Sequence, residues 1–338
     1  MKGKNTKLIC VAACAYLSVA VATSVAQTPK PKRINRAIEL LEQGQPIYYT
    51  GSHSGTAGSF EQGKLDAQTW ADYISYDMEA APYDIAGLAA YMQGLAAGGP
   101  TRTGHRTPAV IANLPVRGTD EATVRANAWM IEQVLATGVH GILLCHATTA
   151  GAVRAMVEAV RYPNREQGVG QQGLQEGRRG AHGAAVAAKI WGVSPEEYMQ
   201  KADVWPLNPN GEIMLGVKIE DKYGLAHLDE IVRVPGIGFG EGGPGDMGLS
   251  FGFKPGDPKA KEVQDKIFAA AKAQHLYGLE SAGRVLIRKR PLGRLSRKVT
   301  WSGLERKQLP SGVRLPRGLC RTNSSSKPGS CLGQRSTI

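Results

Sequence analysis

Cysteine is scarce in this chain and nowhere spaced to hold a metal. Five occur in 338 residues. Cys10 and Cys14 lie in an N-terminal apolar run, Cys320 and Cys331 near the other end, and Cys145 stands alone in the apolar stretch 141–145. Without a Cys-x-x-Cys pair, a disulfide scaffold and a cysteine-type zinc site are both excluded, and Cys145 reads as a buried thiol. Long apolar runs are missing too, since residues 8–21 are too short and too poorly flanked for a stable membrane anchor. No Gly-x-Gly-x-x-Gly opens a helix after the first strand, which argues against a dinucleotide-binding domain. Acidic residues almost vanish from residue 282 onward, where Glu305 stands against 14 Lys/Arg. The other 281 residues hold 27 Lys/Arg and 28 Asp/Glu, so the formal charge of +12 belongs to the tail. A near-neutral body gives no reason to expect a nucleic-acid partner. Residues 282–338 have one aromatic residue, Trp301, and no sustained periodicity. They read as a basic, disordered tail, with a basic arm for an anionic surface as the alternative.

What is present begins with a signal peptide over residues 1–26. Lys2, Lys4 and Lys7 form its positive region, the apolar run follows, and Ser24-Val25-Ala26 supplies small residues before Gln27. The mature chain is expected to be secreted or periplasmic, with no membrane contact once the signal is removed. Residues 27–45 read as a Pro/Lys linker and a helix with apolar spacing over 34–41. Strand-like segments then alternate with helical ones. Strands are expected at 47–50, 73–76, 108–114, 139–145, 213–219, 237–239 and 275–279. Helices are expected at 85–97, 121–136, 150–160, 184–190 and 260–273. Repeated β-then-α order implies a parallel sheet with helices outside it. Seven such strands predict an α/β fold of the (β/α)8 TIM-barrel type over residues 46–281, incomplete at its C-terminal end. An open doubly wound sheet is the runner-up. The glycine-rich stretch 164–183 is too long for an ordinary barrel connection. It is either a flexible surface excursion or a loop that brings Arg178 or Arg179 to an anionic group.

The chemistry concentrates at strand ends. Residues 213–219 run apolar into Glu220, and 237–239 lead to a glycine-rich turn carrying Asp246. In a β/α barrel those C-terminal ends are where chemistry is placed. Two carboxylates there make a hard, oxygen-rich site for a divalent cation. The plainer alternative is a surface Glu220 and an Asp246 that caps a helix. His146, at the end of the fourth strand, reads as a histidine bonded to a neighbouring loop or as an imidazole available to the site.

Three motifs fall in order: Tyr76-Asp77-Met78-Glu79-Ala80-Ala81-Pro82, then Arg161-Tyr162-Pro163, then Lys218-Ile219-Glu220 with Gly243-Pro244-Gly245-Asp246-Met247-Gly248. Together, over about residues 73–281, the chain resembles the HpcH/HpaI-type aldolases, the metal-dependent class II 2-oxo acid aldolases. The resemblance implies Mg²⁺ or Mn²⁺ on Glu220 and Asp246. It implies catalytic roles for Asp77, Glu79 and Arg117, and substrate contacts along Gly243, Pro244 and Gly245. It also implies a small 2-oxo acid substrate and, if the barrel is complete, a homo-oligomer. The implied reaction cleaves a hydroxy-2-oxo acid to pyruvate or a similar acid plus an aldehyde. The family motif Asp-x-Glu-His-x-Pro carries Ala80 here in place of its acid–base histidine. That favours, as the alternative, a non-catalytic relative that still binds metal and a 2-oxo acid. At the end of the third strand, where the family places a substrate-holding arginine, this chain reads Ala112-Asn113-Leu114, and Arg117 follows a little later.

If the signal-peptide reading is right, mass spectrometry of protein from its native host will find an N-terminus near Gln27. An intact Met1 on cytoplasmic protein would contradict it.

Overall fold

The computed structural model describes residues 33–51, 58–254, 256–280 and 285–287. The signal-peptide expectation, and the tail expectation from residue 288 onward, lie outside them. All seven expected strands form: β1 (Ile47–Thr50), β2 (Tyr73–Asp77), β3 (Ala109–Asn113), β4 (Gly141–Leu144), β6 (Ile213–Ile219), β7 (Phe239–Gly242) and β8 (Tyr277–Glu280). They pair in parallel in the order β1-β2-β3-β4-β6-β7-β8, with the two-residue β5 (Val204–Trp205) beside the start of β6. Val285–Ile287, assigned above to the tail, forms β9 and pairs antiparallel with both β8 and β1. Three apolar residues here meet two strand edges that would otherwise lack partners. The expected α/β fold is thus present as a curled parallel sheet, and the eighth position is a short antiparallel strand instead of a parallel β/α unit.

The helices are α1 (Arg36–Glu42), α2 (Phe60–Asp66), α3 (Ile85–Gly98), α4 (Glu121–Ala126), α5 (Ala128–Ala136), α6 (Ala150–Val160), α7 (Ala184–Trp191), α8 (Pro195–Lys201), α9 (Lys222–Ala226), α10 (Leu228–Ile231), α11 (Pro244–Phe251) and α12 (Pro258–Ala273). The single helix expected over 121–136 divides at Asn127, whose side chain donates to the Thr123 carbonyl at 2.9 Å. A short amide that bonds backbone competes with helix continuation.

Strand alternation sorts the core into two layers. Ile74, Tyr76, Val110, Ile142, Leu215 and Val217 face the helices. Tyr73, Ile111, Leu143, Met214, Phe239 and Tyr277 face the sheet interior, where Ala37, Ile38, Leu40 and Leu41 of α1 join them. The helix expected over 34–41 is present as α1, which closes the floor of the curled sheet. Its N-cap Asn35 accepts from the Ala37 amide at 3.0 Å, and its Nδ2 donates to the His140 and Glu212 carbonyls, each at 3.1 Å.

The 164–183 stretch runs largely exposed over the surface, as one expectation for it had it, but it is anchored at several points, and its arginines meet groups of the chain away from the strand ends. Arg161, fully buried, donates Nε to Asp203 Oδ1 at 2.8 Å and Nη1 to the Gln167 carbonyl at 2.6 Å. Arg179 stacks on Tyr162, 4.8 Å from its ring centre, and donates to the Tyr198 hydroxyl at 2.8 Å. Arg178 lies 3.9 Å from Glu158. The 11-residue α6 separates these arginines from the end of β4 by a helix about 16 Å long.

Removing one partner of a buried ion pair strands the other charge and typically costs about 3–5 kcal/mol. Arg161→Ala should therefore lower unfolding free energy by that amount in urea titrations, whereas the exposed Lys261–Asp265 pair should be nearly silent.

Candidate active site

The same alternation places the polar layer. With Tyr73, Ile111, Leu143, Met214 and Phe239 facing inward, Asp77, Asn113, Cys145, Lys218 and Glu241 also face inward, at the C-terminal strand ends. All five are buried. Glu220 follows β6 directly and is fully buried.

Glu79, His146 and Glu220 converge, and their ligand atoms lie within 4.8 Å of one another. The His146 amide donates to Glu220 Oε1 at 2.9 Å, and its Nε2 lies 3.3 Å from Glu79 Oε1. Arg117 Nη2 donates to His146 Nδ1 at 3.1 Å. A guanidinium only donates, so Nδ1 accepts and the neutral ring carries its proton on Nε2, toward Glu79. His146 has φ 50°, a left-handed conformation costly for a residue with a Cβ. It turns the chain at the strand end so that amide and ring both reach the carboxylates.

Lys218 Nζ lies 2.9 Å from Glu220 Oε2 and 3.3 Å from Glu79 Oε2. Burial pushes the Glu220 carboxyl up; Lys218 pulls it back and Glu79 adds to the rise. Burial also works against the Lys218 charge, but Cys145, Glu220 and Glu79 outweigh it and hold the amine above its ordinary value. The Cys145 thiol is pushed well up by burial and is free, as expected.

The remaining expected residues divide. Asp77 Oδ1 accepts from the Glu79 and Ala80 amides at 2.8 and 3.1 Å, which folds the strand end that carries Glu79. Arg117 reaches the site through His146. Gly243 is the N-cap of α11, and a Cβ there would stand 2.0 Å from Glu220 Oε2. Pro244 and Gly245 are exposed on the first turn. Asp246 is also exposed on that turn, and the close cluster contains Glu79 in its place. Gly243 caps the helix, so Asp246 does not occupy the capping position weighed for it. His146 was expected only as one of two readings, and Lys218 only as part of a motif. The signal for Lys218 was available: a charged residue at inward parity in an otherwise apolar strand.

The sequence model of the HpcH/HpaI aldolase/citrate lyase family matches residues 105–299. The chain belongs to this family. The match extends past residue 281, where the motif resemblance ended, and starts downstream of Asp77 and Glu79. A hydroxypyruvate/pyruvate aldolase of Pseudomonas aeruginosa is 29% identical over 229 residues, 67% of this chain and 72% of that protein. One from Deinococcus radiodurans is 31% identical over 181 residues, covering 54% of this chain and 52% of its own length. The crystal structure of a family protein from Burkholderia cenocepacia J2315 shares the fold with TM-score 0.54 at 21% identity, over 69% of this chain and 78% of that one. The chain is accordingly an aldolase-type lyase.

Gly243→Ala tests the close approach to Glu220. Displacing a buried site carboxylate by about 1 Å costs on the order of 10²-fold in rate. Aldolase turnover should fall by that order while circular dichroism stays unchanged.

Proposed function

We propose that this lyase is dependent on a divalent cation and cleaves a hydroxy-2-oxo acid to pyruvate or a similar 2-oxo acid plus an aldehyde. The convergence of Glu79, His146 and Glu220 at the strand ends carries the reading. Two carboxylates within reach of one another fit a hard cation. Glu220 would hold it, with Glu79 beside it and Asp246 from the first turn of α11. The neutral His146 tautomer directs an N–H at the carboxylates, so it acts as a proton carrier and not as a ligand. Bound Mg²⁺ or Mn²⁺ supplies Lewis acidity, stabilising the negative charge that develops on the keto oxygen as the carbon–carbon bond breaks.

The chain's own residues supply the rest. Glu79, 3.3 Å from Nε2, takes the ring proton, so that His146 accepts the substrate hydroxyl proton at Nε2, a task Ala80 cannot perform, and the proton passed to Glu79 is the one available to C3 afterwards. Arg117 fixes the ring's tautomer through Nδ1 and presents a cation at the mouth of the site. Asp77 folds the strand end that carries Glu79. The electron pair of the broken bond passes to the 2-oxo acid, which takes a proton at C3, and the hydroxyl carbon leaves as the aldehyde. His146 in this role disfavours the binding-only alternative that Ala80 suggested. A homo-oligomer and export of the mature chain belong to the same proposal. Among the described residues, no helix is long and apolar enough to cross a membrane.

Pyruvate release from a 4-hydroxy-2-oxo acid should vanish after chelation and return with Mn²⁺ or Mg²⁺. His146→Ala should lower metal-saturated turnover by about 10²–10⁴-fold, the usual contribution of a general acid–base group. No release with any divalent ion would favour the binding-only protein. Equal rates in parent and variant would assign proton transfer elsewhere.

A further inference from the structure

We propose that Lys218 is the resident cation of this site. Its ammonium occupies the space between Glu79 and Glu220 until a divalent ion displaces it, so metal binding is an exchange of cations. The inference rests on the metal-dependent reading above and adds a residue that sets the metal affinity.

The placement is specific. Lys218 faces inward next to the end of β6, and its side chain is 5% exposed. The two carboxylates are divided between two donors. Their Oε1 atoms lie 3.3 and 3.7 Å from His146 Nε2. Their Oε2 atoms lie 3.3 and 2.9 Å from Lys218 Nζ. The oxygens turned toward the ammonium are thus shared by both carboxylates, as the ligands of a bridging cation must be. Opposite Lys218 in strand register stands Glu241 on β7.

A fully buried carboxylate next to a partly buried one is strongly unfavourable without a counter-charge. Lys218 supplies that charge when no metal is bound. An ammonium and a divalent ion within about 4 Å repel strongly, even at an effective dielectric constant near 20, so the two cannot share the space. The lysine stem is flexible and tethers a compact point charge, whereas β4 and β7 hold the β6 backbone on both sides. The ammonium can therefore withdraw while the carboxylates stay. The metal-free site is kept assembled, and the apparent metal affinity is lowered by the competitor.

Mn²⁺ titration calorimetry on the full chain at about pH 8, where carboxylates are ionised, tests this with Lys218→Met and Lys218→Gln. Both variants should bind Mn²⁺ at least about tenfold more tightly than the parent. A parent that binds Mn²⁺ and folded variants that bind it equally or more weakly would overturn the exchange while leaving the metal-dependent reading intact. No Mn²⁺ binding by parent or folded variants would overturn both. Should neither variant show a cooperative melt, acetylation of Lys218 in the parent, read by peptide mass spectrometry, decides. It should rise several-fold under saturating Mn²⁺, and an unchanged yield would overturn the exchange.

Discussion

A carboxylate with no solvent exposure needs partners on every side, and Glu220 is that carboxylate. One oxygen takes the His146 amide, the other faces the Lys218 ammonium, and the Gly243 backbone presses close enough that no side chain fits between. Three separate segments, the ends of β4, β6 and β7, must therefore be in register before Glu220 can be buried. The parallel pairings Leu143↔Gly216 and Gly216↔Phe239 set that register. The left-handed turn at His146, the helix start at Gly243 and the inward lysine all serve the same group.

Below this layer the sheet interior is apolar, and the change is sharp. Within β6, inward positions pass from Met214 through Gly216 to Lys218. Gly216 has no side chain because the Phe239 ring fills its place, 2.1 Å from where a Cβ would stand. That ring seals the apolar floor directly beneath the charged residues and keeps water from reaching them from below. The arginines of the 161–179 region do a different job at the far end of α6, pinning a long connection with one buried ion pair and a guanidinium stacked on tyrosines.

Much of this was legible from sequence. Apolar runs bounded by turn residues located the parallel strands because such strands are buried on both faces and leave continuous hydrophobic stretches. The elements that escaped, β5, β9, α2 and α8 to α11, are short or glycine-rich, and their conformation is imposed by the neighbours they pack on. Glu79 and Glu220 of the close cluster lie in motifs visible in the sequence, Arg117 lies outside them, and strand-end chemistry pointed to the end of the sheet where they meet. The roles were harder. Asp77 Oδ1 accepts from the backbone amides two and three residues on, a contact that its motif does not reveal. An imidazole stands beside Glu79 from the end of the fourth strand, a proximity in space that no linear motif registers. Whether Glu220 meets Glu79 or Asp246 first depends on the orientation of α11, which sequence spacing does not encode.

The capping of α1 also sets an order of events. Asn35 is made early, yet its side chain bonds the His140 carbonyl and its amide bonds the Glu212 side chain, 105 and 177 residues further along. The floor of the curled sheet thus cannot be closed until well over half of the chain has been synthesised. Until then the apolar face of α1 has no interior to enter. Contacts of such long sequence separation slow folding and leave the growing chain exposed to aggregation.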